Sequence, residues 1–589
     1  MKYSINKIIN MKILKLISFV IIASMTLASC SSSQTATTYN AKSTKEITII
    51  SATDNIIAKQ GEMSEADIKS WPHMDLFTDS IPGMSLAKAY DFVKNKQGKT
   101  VVVGVIDSGI DIEHEDLKDV VWVNKNEIAG NGKDDDNNGY PDDINGWNFL
   151  GGEKGQANPE QLEMTRIVKK WMPRFEGKTA DSISDAEKSD FELFEKLTKI
   201  INDKRANAQN QVTKANNIIS QYYDIKQMLI KANDTIRKLL ADKPVTLENV
   251  NSLNFDDQKL LYGKMVIMKV LDAGEQISVV YEELDAIVDN AKEIESHYSN
   301  QLNSQYKIDF NGRVAGDDPY DITDTNYGNG YVIGSKDDES HGTHVSGIIA
   351  AKRNNGIGMN GVANNVKIMA IRAVPDGDEY DKDIALAIRY AVDNGAKVIN
   401  MSFGKGYSPN AVWVYDAIKY AADKDVLLVH AAGNDSSDFD TEDNYPNDSK
   451  DKLNEFADNV ITVGAMTRHF DENLVASFSN YGKVNVDIFA PGLEIYSTFP
   501  KNSYESIQGT SMAAPEVAGV AALVRSYYPN LSAAQVKNII MNSGIEFNRE
   551  VIKPGSSEDK IHFNQLSVSG KILNAYNALL MAEKMFLKL

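Results

Sequence analysis

The sequence predicts a three-layer α/β protein whose mainly parallel sheet has helices on both faces and whose chain is interrupted by a long α-helical insertion. Two observations predict the layers: apolar, β-branched runs recur along the chain, and amphipathic segments fall between several of them. A third observation marks the insertion. From about residue 153 to residue 304 glycine becomes scarce, and apolar residues recur in steps of three and four.

The strands are predicted from continuous apolar runs, which suit strands buried on both faces of a parallel sheet. The first is Thr100–Ile106, and it ends at Asp107, so a carboxylate lies at the edge where open α/β sheets keep their sites. A helix is predicted over Leu86–Val93 and another over Asp383–Asn394, closed by Gly395 as its C-terminal cap. Five further strands are predicted: Val366–Val374, Ala396–Met401, Val426–His430, Val460–Ala465 and Val486–Phe489.

The insertion carries two helical stripes separated by a break at Pro244. One runs from Ala208 to Leu239 and the other from Ile277 to Tyr298, both close to coiled-coil periodicity. We therefore predict two long helices forming an antiparallel arm. Packing of the stripes on each other is the simpler interpretation, and it is compatible with a surface for self-association or for a partner.

The N-terminus carries a basic start at Met11–Lys15 followed by a mostly apolar run, Leu16–Leu27, which fits a secretory signal. The chain has a single cysteine, Cys30, directly after Leu27-Ala28-Ser29. This junction resembles a bacterial lipoprotein signal, which implies cleavage before a lipidated Cys30 and a place in the cell envelope, facing the periplasm or the exterior. A plain signal peptide with an incidental cysteine is the alternative.

The composition limits the partners. The formal net charge of −20 leaves no basic surplus to neutralise phosphates, which argues against nucleic acid. The predicted organisation is a signal peptide at 1–29, a Ser- and Thr-rich linker at 30–70, the first part of the α/β domain at 71–152, the helical insertion at 153–312 and the second part of the α/β domain at 313–589.

An acidic loop at Asn131–Asp143 predicts a cation site. Oxygen side chains alternate there, and Gly139 allows a sharp turn, which suits a hard cation such as calcium. The spacing begins like an EF-hand loop, but Asn145 stands where the closing glutamate is expected. A solvated acidic loop is the alternative. The candidate calcium ligands are Asp134, Asp136, Asn138 and Asp142.

A serine in Gly509–Pro515 stands just before an apolar run that predicts a buried helix. Ser511 would then lie at a helix N-terminus, where free N–H groups favour negative charge, although an N-cap serine is the commoner use. Two further stretches bear on it: Ser340–Gly347 with His341, and Ala431–Asn434 at the end of a strand. A nucleophilic serine needs a base, an acid that orients the base, and a donor for the oxyanion.

These motifs resemble those of the subtilisin-like serine proteases, the subtilases: Asp107-Ser108-Gly109, His341-Gly342-Thr343-His344 and Gly509-Thr510-Ser511-Met512-Ala513-Ala514-Pro515, in the family's order. The resemblance implies a subtilisin-like fold and an Asp-His-Ser triad of Asp107, His341 and Ser511. It further implies Asn434 as the oxyanion donor, and Ser402, Phe403, Gly404 and Gly433 as substrate-binding residues. His344 and His114 fit family patterns without a catalytic role.

The resemblance implies a membrane-tethered endopeptidase that acts on proteins or peptides through an acyl-enzyme. It does not cover the insertion, and residues 31–70 are short for an inhibitory propeptide. A binding protein with a silent core, in which the insertion does the work, is the alternative. The presence of all four chemical residues argues against it.

Overall fold

The computed structural model describes residues 56–153, 155–336 and 339–587. Cys30, the predicted signal peptide and the first part of the predicted linker lie outside these residues. The described chain forms two compact units. The larger unit comprises the described residues of the ranges 56–170 and 308–587, and the smaller unit is Trp171–Lys307. Residues 153–170 and 308–312, predicted as part of the insertion, belong to the larger unit.

The strands of the described residues are short, and the six that the sequence predicts begin and end within two residues of their predicted limits. They are β1 (Val101–Asp107), β2 (Gly146–Asn148), β3 (Gly151–Gly152), β4 (Gly155–Gln156), β5 (Val366–Arg372), β6 (Val398–Met401), β7 (Leu427–Ala431), β8 (Val460–Met466), β9 (Ile488–Pro491), β10 (Ile495–Phe499), β11 (Ser503–Ile507), β12 (Ile545–Glu546), β13 (Glu550–Ile552), β14 (Lys560–His562) and β15 (Lys571–Ile572).

The helices of the described residues follow in chain order. They are α1 (Glu65–Ser70), α2 (Leu76–Asp79), α3 (Leu86–Val93), α4 (Glu163–Phe175), α5 (Lys188–Leu240), α6 (Leu247–Asn251), α7 (Gln258–Asp272), α8 (Ile277–Asn300), α9 (Ser340–Ala350), α10 (Asp381–Asp393), α11 (Ala411–Asp423), α12 (Thr510–Tyr527), α13 (Ala533–Ser543) and α14 (Ala575–Phe586).

Nine strands form one sheet in the order β12-β15-β9-β8-β7-β6-β1-β5-β2. Every neighbouring pair is parallel except β12 with β15. The mainly parallel sheet predicted from the sequence is thus confirmed. Because the strands are parallel, their carboxyl ends meet along one edge, and β1, β6 and β7 are direct neighbours there.

Both faces of the sheet are covered by helices. Successive residues of a strand point to opposite faces. Val103 and Val105 accordingly pack in a cluster with α3, α9, α12, α13 and α14, whereas Ile106 and Leu428 pack in a second cluster with α10 and α11. Full burial of such a side chain contributes about 1.5–3 kcal/mol. The apolar runs therefore produce the three-layer arrangement by filling two cores at once.

The last part of the predicted linker differs from the expectation. Ile56, Ala58 and Met63 pack against the first apolar cluster, and α1 forms with Ser64 as its N-cap. The Lys59 N–H donates to the Ser80 carbonyl at 3.2 Å. The few apolar residues of this polar stretch therefore suffice to dock it on the larger unit, although they show no periodicity.

The smaller unit is helical, as predicted. The helix α5 is 53 residues long, and Lys226 on it pairs with Asp285 on α8 while Arg205 donates to the Leu302 and Tyr306 carbonyls, so the two helices run antiparallel. The third helix α7 was not predicted. It packs on α5 through Gly263, where an added Cβ would lie 2.4 Å from the Ala232 side chain.

None of the helices within the described residues is long and apolar enough to span a bilayer.

Candidate active site

The site lies at the carboxyl edge of the sheet, where β1, β6 and β7 end beside one another. Ile106 pairs with Met401, and Met401 pairs with His430. Asp107 ends β1, Ser402 follows β6, and the stretch up to Asn434 follows β7, so the three start from adjacent positions. Chain segments that are hundreds of residues apart are brought together by the strand register alone.

Asp107 and His341 form a hydrogen-bonded pair. Asp107 is the last residue of β1 and is 2% exposed, while His341 is the second residue of α9. His341 Nδ1 lies 2.8 Å from Asp107 Oδ1, which also accepts the Ser108 N–H at 2.8 Å. A carboxylate can only accept, so Nδ1 carries the proton and Nε2 is left as an acceptor. An added Cβ at Gly342 would lie 3.0 Å from the Asp107 side chain, so glycine permits this approach.

The charge of Asp107 determines the basicity of His341. Burial disfavours the imidazolium, but the Coulombic attraction and the hydrogen bond of Asp107 outweigh it, and the pKa of His341 is raised above its ordinary value of 6.5. The imidazole is therefore a stronger base than a free histidine, as a general base that removes a hydroxyl proton requires.

Ser511 lies in the first turn of α12, which begins at Thr510 after Gly509. Residues of the first turn have no intrahelical acceptor for their N–H groups, so the Ser511 N–H is free and the helix dipole favours an anion there. Ser511 Oγ donates to the Ser402 carbonyl at 3.0 Å, and Ser402 Oγ donates to the Ser511 carbonyl at 2.8 Å. Since Ser402 follows Met401, the register partner of Ile106, these bonds anchor Ser511 where β1 and β6 end side by side.

Asn434 is held by the same helix start. Its Oδ1 accepts the Thr510 N–H at 2.8 Å and the Thr510 hydroxyl at 3.1 Å. Thr510 Oγ1 in turn accepts the Gly433 N–H at 3.0 Å. With Oδ1 fixed in this way, the Nδ2 group of this exposed residue has no hydrogen-bond acceptor within the described chain and is available as a donor.

In the predicted substrate segment, Ser402–Gly404, the first two residues are hydrogen-bonded within the described chain and the third is not. Ser402 is tied to Ser511, and the Phe403 carbonyl accepts His430 Nε2 at 2.8 Å. Gly404 is exposed, and neither its N–H nor its C=O is hydrogen-bonded within the described residues. The N–H and the C=O of Gly404 are therefore available to pair with the main chain of an extended peptide.

Asn444 lies close to both Gly404 and Gly433, two of the predicted substrate-binding residues. An added Cβ at Gly404 would lie 2.7 Å from Asn444 Oδ1, and one at Gly433 would lie 3.6 Å from Asn444 Nδ2. Gly433 also has a φ of +104°, which side chains rarely adopt. Both glycines are thus required where they stand. Asn444 was not predicted as a site residue, because no motif in the sequence includes it.

The profile of the subtilase family matches residues 98–565 of this chain. The chain belongs to the subtilase family. Subtilases are serine endopeptidases, and their fold is the three-layer arrangement described above. The matched region begins just before β1 and extends beyond α12, so it contains Asp107, His341 and Ser511.

Individual subtilases match parts of the chain. A thermophilic serine proteinase of Bacillus sp. (strain AK1) is 38% identical over 261 residues, 44% of this chain and 55% of the relative. Subtilisin DY of Bacillus licheniformis is 42% identical over 208 residues, 34% and 69% of the two chains. Thermitase of Thermoactinomyces vulgaris is 39% identical over 204 residues, 34% and 66%. The chain thus spans about half the length of the first of these relatives.

The other two histidines of this subtilase's motifs have structural contacts. Burial lowers the pKa of His344 to about 3, and its Nε2 donates to the Ile495 carbonyl at 3.0 Å. His114 Nε2 lies 3.1 Å from the Ser503 carbonyl. These side chains hold the β10–β11 hairpin to the catalytic half of the sheet, while His341 alone faces Asp107.

A buried ion pair stands beside Asp107 and was not predicted. Glu339 Oε1 accepts Arg372 Nη2 at 2.6 Å, and both side chains are fully enclosed. Arg372 is the register partner of Asp107, and Glu339 occupies the N-cap position of α9, two residues before His341, without a capping hydrogen bond between its side chain and the described residues. Gly334, with a φ of +68°, leaves room for the pair, since an added Cβ there would lie 2.6 Å from Glu339 Oε1. No local sequence pattern links the two.

The acidic loop brings together only part of the predicted calcium ligands. Oxygen atoms of Asp134, Asp136 and Glu127 lie within 4.8 Å of one another. Glu127 was missed because it stands outside the alternating pattern.

Asp142 and Asn138 have other contacts within the loop. The Asp142 carboxylate accepts the N–H groups of Gly130, Asn131 and Gly132 and so organises the preceding turn. Asn138 Nδ2 donates to Asp143 Oδ2 at 3.0 Å, while its Oδ1 accepts the Tyr140 N–H at 2.8 Å. Both residues thus contribute to the loop through these hydrogen bonds, and neither belongs to the group of three carboxylates whose oxygens converge.

The group of three carboxylates fits calcium by its chemistry. Calcium takes six to eight oxygen ligands, including carboxylates, in flexible geometry. Three like charges held this close repel each other without a cation. Glu127 is buried, so its charge is poorly screened by water.

Proposed function

We propose that this subtilase is a serine endopeptidase that hydrolyses peptide bonds through an acyl-enzyme, with Asp107, His341 and Ser511 as its triad. The observation that supports this most directly is the Asp107–His341 hydrogen bond at 2.8 Å next to a serine at a helix N-terminus. Ser511, His341 and Asp107 would thus act as the nucleophile, the general base and the acid that orients the base, the three roles that nucleophilic serine catalysis requires.

In the first half-reaction, Ser511 Oγ attacks the carbonyl carbon of the scissile peptide bond while His341 Nε2 accepts the hydroxyl proton. Asp107 holds the imidazole and stabilises the imidazolium. The Asn434 Nδ2 group and the Ser511 N–H donate to the oxyanion. The tetrahedral intermediate then breaks its C–N bond, and His341 returns the proton to the leaving amine, which leaves an ester on Ser511.

In the second half-reaction, a water molecule gives its proton to His341 and attacks the ester carbon. Collapse of the second oxyanion releases the carboxylic acid, and the proton returns to Ser511 Oγ. Ser402, Phe403, Gly404 and Gly433 hold the substrate, with Gly404 offering main-chain hydrogen bonds to an extended peptide.

The experiment that tests this function uses a fluorophosphonate probe on the full chain, read by intact mass and by mapping the labelled peptide. We expect one adduct on Ser511, none in Ser511→Ala and strongly reduced labelling in His341→Ala. A folded wild-type protein that stays unlabelled would contradict the proposal. Cleavage of a denatured proteome by wild type, compared with Ser511→Ala, then gives the residues preferred around the scissile bond.

We also propose that lipidated Cys30 tethers the enzyme to a membrane of the cell envelope, outside the cytoplasm. Support comes from the sequence: a basic start, an apolar run and Leu27-Ala28-Ser29 before the cysteine. An alkyne-bearing fatty acid fed to expressing cells should label wild type but not Cys30→Ser. A secreted, unlabelled wild-type protein would favour the plain signal peptide.

Calcium is the cofactor we propose for the acidic loop. Glu127, Asp134 and Asp136 would hold it, and its charge would neutralise theirs and stiffen the loop. The role is structural, since none of the three residues contacts the catalytic side chains.

A further inference from the structure

A buried lysine directly follows the exposed substrate segment. Lys405 comes after Ser402–Gly404, and its side chain is 2% exposed. Its ammonium group lies 2.8 Å from Asp381 Oδ1, 2.7 Å from the Glu379 carbonyl and 3.0 Å from Glu163 Oε2. A buried cation depends on such partners, because it has exchanged its hydration for them.

Glu163 connects this lysine to the helix from which the chain continues into the insertion. It is the first residue of α4, and its Oε2 also accepts Arg166 Nη2 at 2.6 Å. Arg166 in turn donates to the Asp378 and Glu379 carbonyls, and the Glu163 N–H donates to Asp378 Oδ2 at 2.7 Å. The start of α4 and the 378–381 segment thus form one charged cluster that encloses the Lys405 side chain.

The main chain of Lys405 is fixed as well. Its N–H donates to the Tyr445 carbonyl at 3.0 Å, and its carbonyl accepts the Tyr445 N–H at 2.9 Å. At the other end of the segment, Ser402 is bound to Ser511. Gly404, the residue with the unpaired peptide groups, lies between these two anchors, so its position depends on both.

We propose that Glu163 and Lys405 are positioning residues that hold the Ser402–Gly404 segment in register for main-chain pairing with a peptide substrate. This inference rests on the proposed peptidase function. By this assignment the start of α4, within the larger unit, contributes to substrate affinity without touching the substrate.

The electrostatics agree with the geometry. Burial alone would lower the pKa of Lys405, but Glu163 and Asp381 raise it above its ordinary value, so the ammonium stays charged. Burial likewise opposes ionisation of Glu163, but Arg166 and Lys405 lower its pKa below the ordinary value. Removing the Glu163 charge leaves two cations facing fewer carboxylates, and Lys405 then gains by moving toward water and taking Gly404 with it.

The test compares Glu163→Gln, Lys405→Met and the double variant in the full chain, each corrected for active enzyme by fluorophosphonate titration. One substrate is a tetrapeptide anilide from a mapped cleavage site, and the other is p-nitrophenyl acetate, which has no peptide to pair. We expect the tetrapeptide KM to rise about tenfold in each single variant, with kcat and acetate hydrolysis within about threefold of wild type, since binding along the segment is lost equally in the ground state and the transition state.

Two further variants serve as controls. Lys382→Met removes another fully buried ammonium, one that contacts Asp317 instead, and should leave the tetrapeptide KM unchanged. Lys405→Arg keeps the cation and should retain much of the wild-type affinity. It also replaces Lys405→Met as the variant at this position if that variant does not fold. The double variant removes one charge of each sign and should bind the tetrapeptide better than Glu163→Gln.

Equal changes for both substrates, an unchanged KM in the single variants, or the same loss in Lys382→Met would overturn the positioning role. Calorimetric titration of the tetrapeptide amide into Ser511→Ala, with and without Glu163→Gln, needs no turnover. If the wild type resists fluorophosphonate, the proposed function fails, while a weaker Kd with Glu163→Gln still supports the positioning role. An equal Kd overturns it.

Discussion

Ser402 and Ser511 exchange two hydrogen bonds across the active site, each hydroxyl donating to the other residue's carbonyl at 3.0 and 2.8 Å. Ser511, the proposed nucleophile, is thereby held by the proposed substrate segment, and within the described residues its hydroxyl makes no hydrogen bond to His341. Transfer of its proton to Nε2 requires the hydroxyl to turn away from the Ser402 carbonyl. Such hydrogen bonds often form only once substrate is bound.

The first prediction concerns Ser402→Ala, which removes one of the two bonds. Ser402 Oγ also accepts Asn400 Nδ2 at 2.9 Å, and Asn400 is fully buried, so the variant leaves a buried donor unpaired. We expect the free energy of unfolding to fall by about 1–3 kcal/mol. Urea unfolding measures it. Ser526→Ala, at the other end of α12, is the control for kcat and should leave it unchanged.

The second prediction concerns Asp107→Asn. An asparagine stabilises the wrong tautomer of His341 and removes the negative charge, so we expect kcat to fall by about 10⁴-fold. Because Asp107 raises the pKa of His341 above 6.5, kcat/KM of the wild type should rise with pH through that raised value, and the residual activity of the variant should rise at lower pH. An unchanged acid limb would contradict the assignment of His341 as base.

The same shift affects stability in the opposite direction. The folded state favours protonated His341, so this contribution to the free energy of unfolding is fully present below pH 6.5 and is lost as the pH rises through the raised pKa. Thermal unfolding of Asp107→Asn and wild type across this range measures the difference. Above the raised pKa, the contribution of His341 to the difference between the two curves should vanish.

The third prediction separates the oxyanion donor from the residue that orients it. Asn434→Ala should lower kcat by about 10²–10³-fold with little change in KM, because the donor acts on charge that develops in the transition state. Thr510→Val removes the hydroxyl that bonds both Asn434 and Gly433 and should give a smaller loss of kcat. A raised KM with unchanged kcat in both variants would instead assign both residues to binding that is equal in the ground state and the transition state.

Local chemistry explains which parts of the site could be predicted. Asp107 follows a continuous β-branched run, and the run itself predicts a strand end at the functional edge of a parallel sheet. His341 and Ser511 stand in motifs whose glycines and small residues are explained by close packing, such as Gly342 against Asp107. The strand register then explains why these motifs meet, because it places the ends of β1, β6 and β7 together.

Long-range contacts explain what could not be predicted. Lys405 and Glu163 are 242 positions apart and Arg372 and Glu339 are 33 apart, and no periodicity encodes an ion pair across such separations. Glu127 joins the acidic cluster from a turn outside the repeated pattern. The helix α7 was missed because apolar residues surround Gly263 on more than one face, which hides the single stripe on which the interpretation relied.

The last prediction concerns the calcium site and separates ligands from organisers of the loop. An ion at about 100 times its Kd stabilises the folded state by about 2.7 kcal/mol if it does not bind the unfolded chain. We expect a chelator to lower the Tm of the wild type by the corresponding amount. Glu127→Gln and Asp136→Asn should lower the Tm and also remove most of the difference between chelator and calcium, because both belong to the converging group.

Asp142→Asn is the matched comparison. Its carboxylate accepts three main-chain N–H groups, so the variant should destabilise the loop while a clear Tm difference between calcium and chelator remains. Differential scanning calorimetry at fixed free calcium measures all four proteins. If the chelator does not change the Tm of the wild type, the loop is a solvated acidic turn and not a calcium site. Loss of the calcium response in Asp142→Asn alone would return that residue to the ligand set.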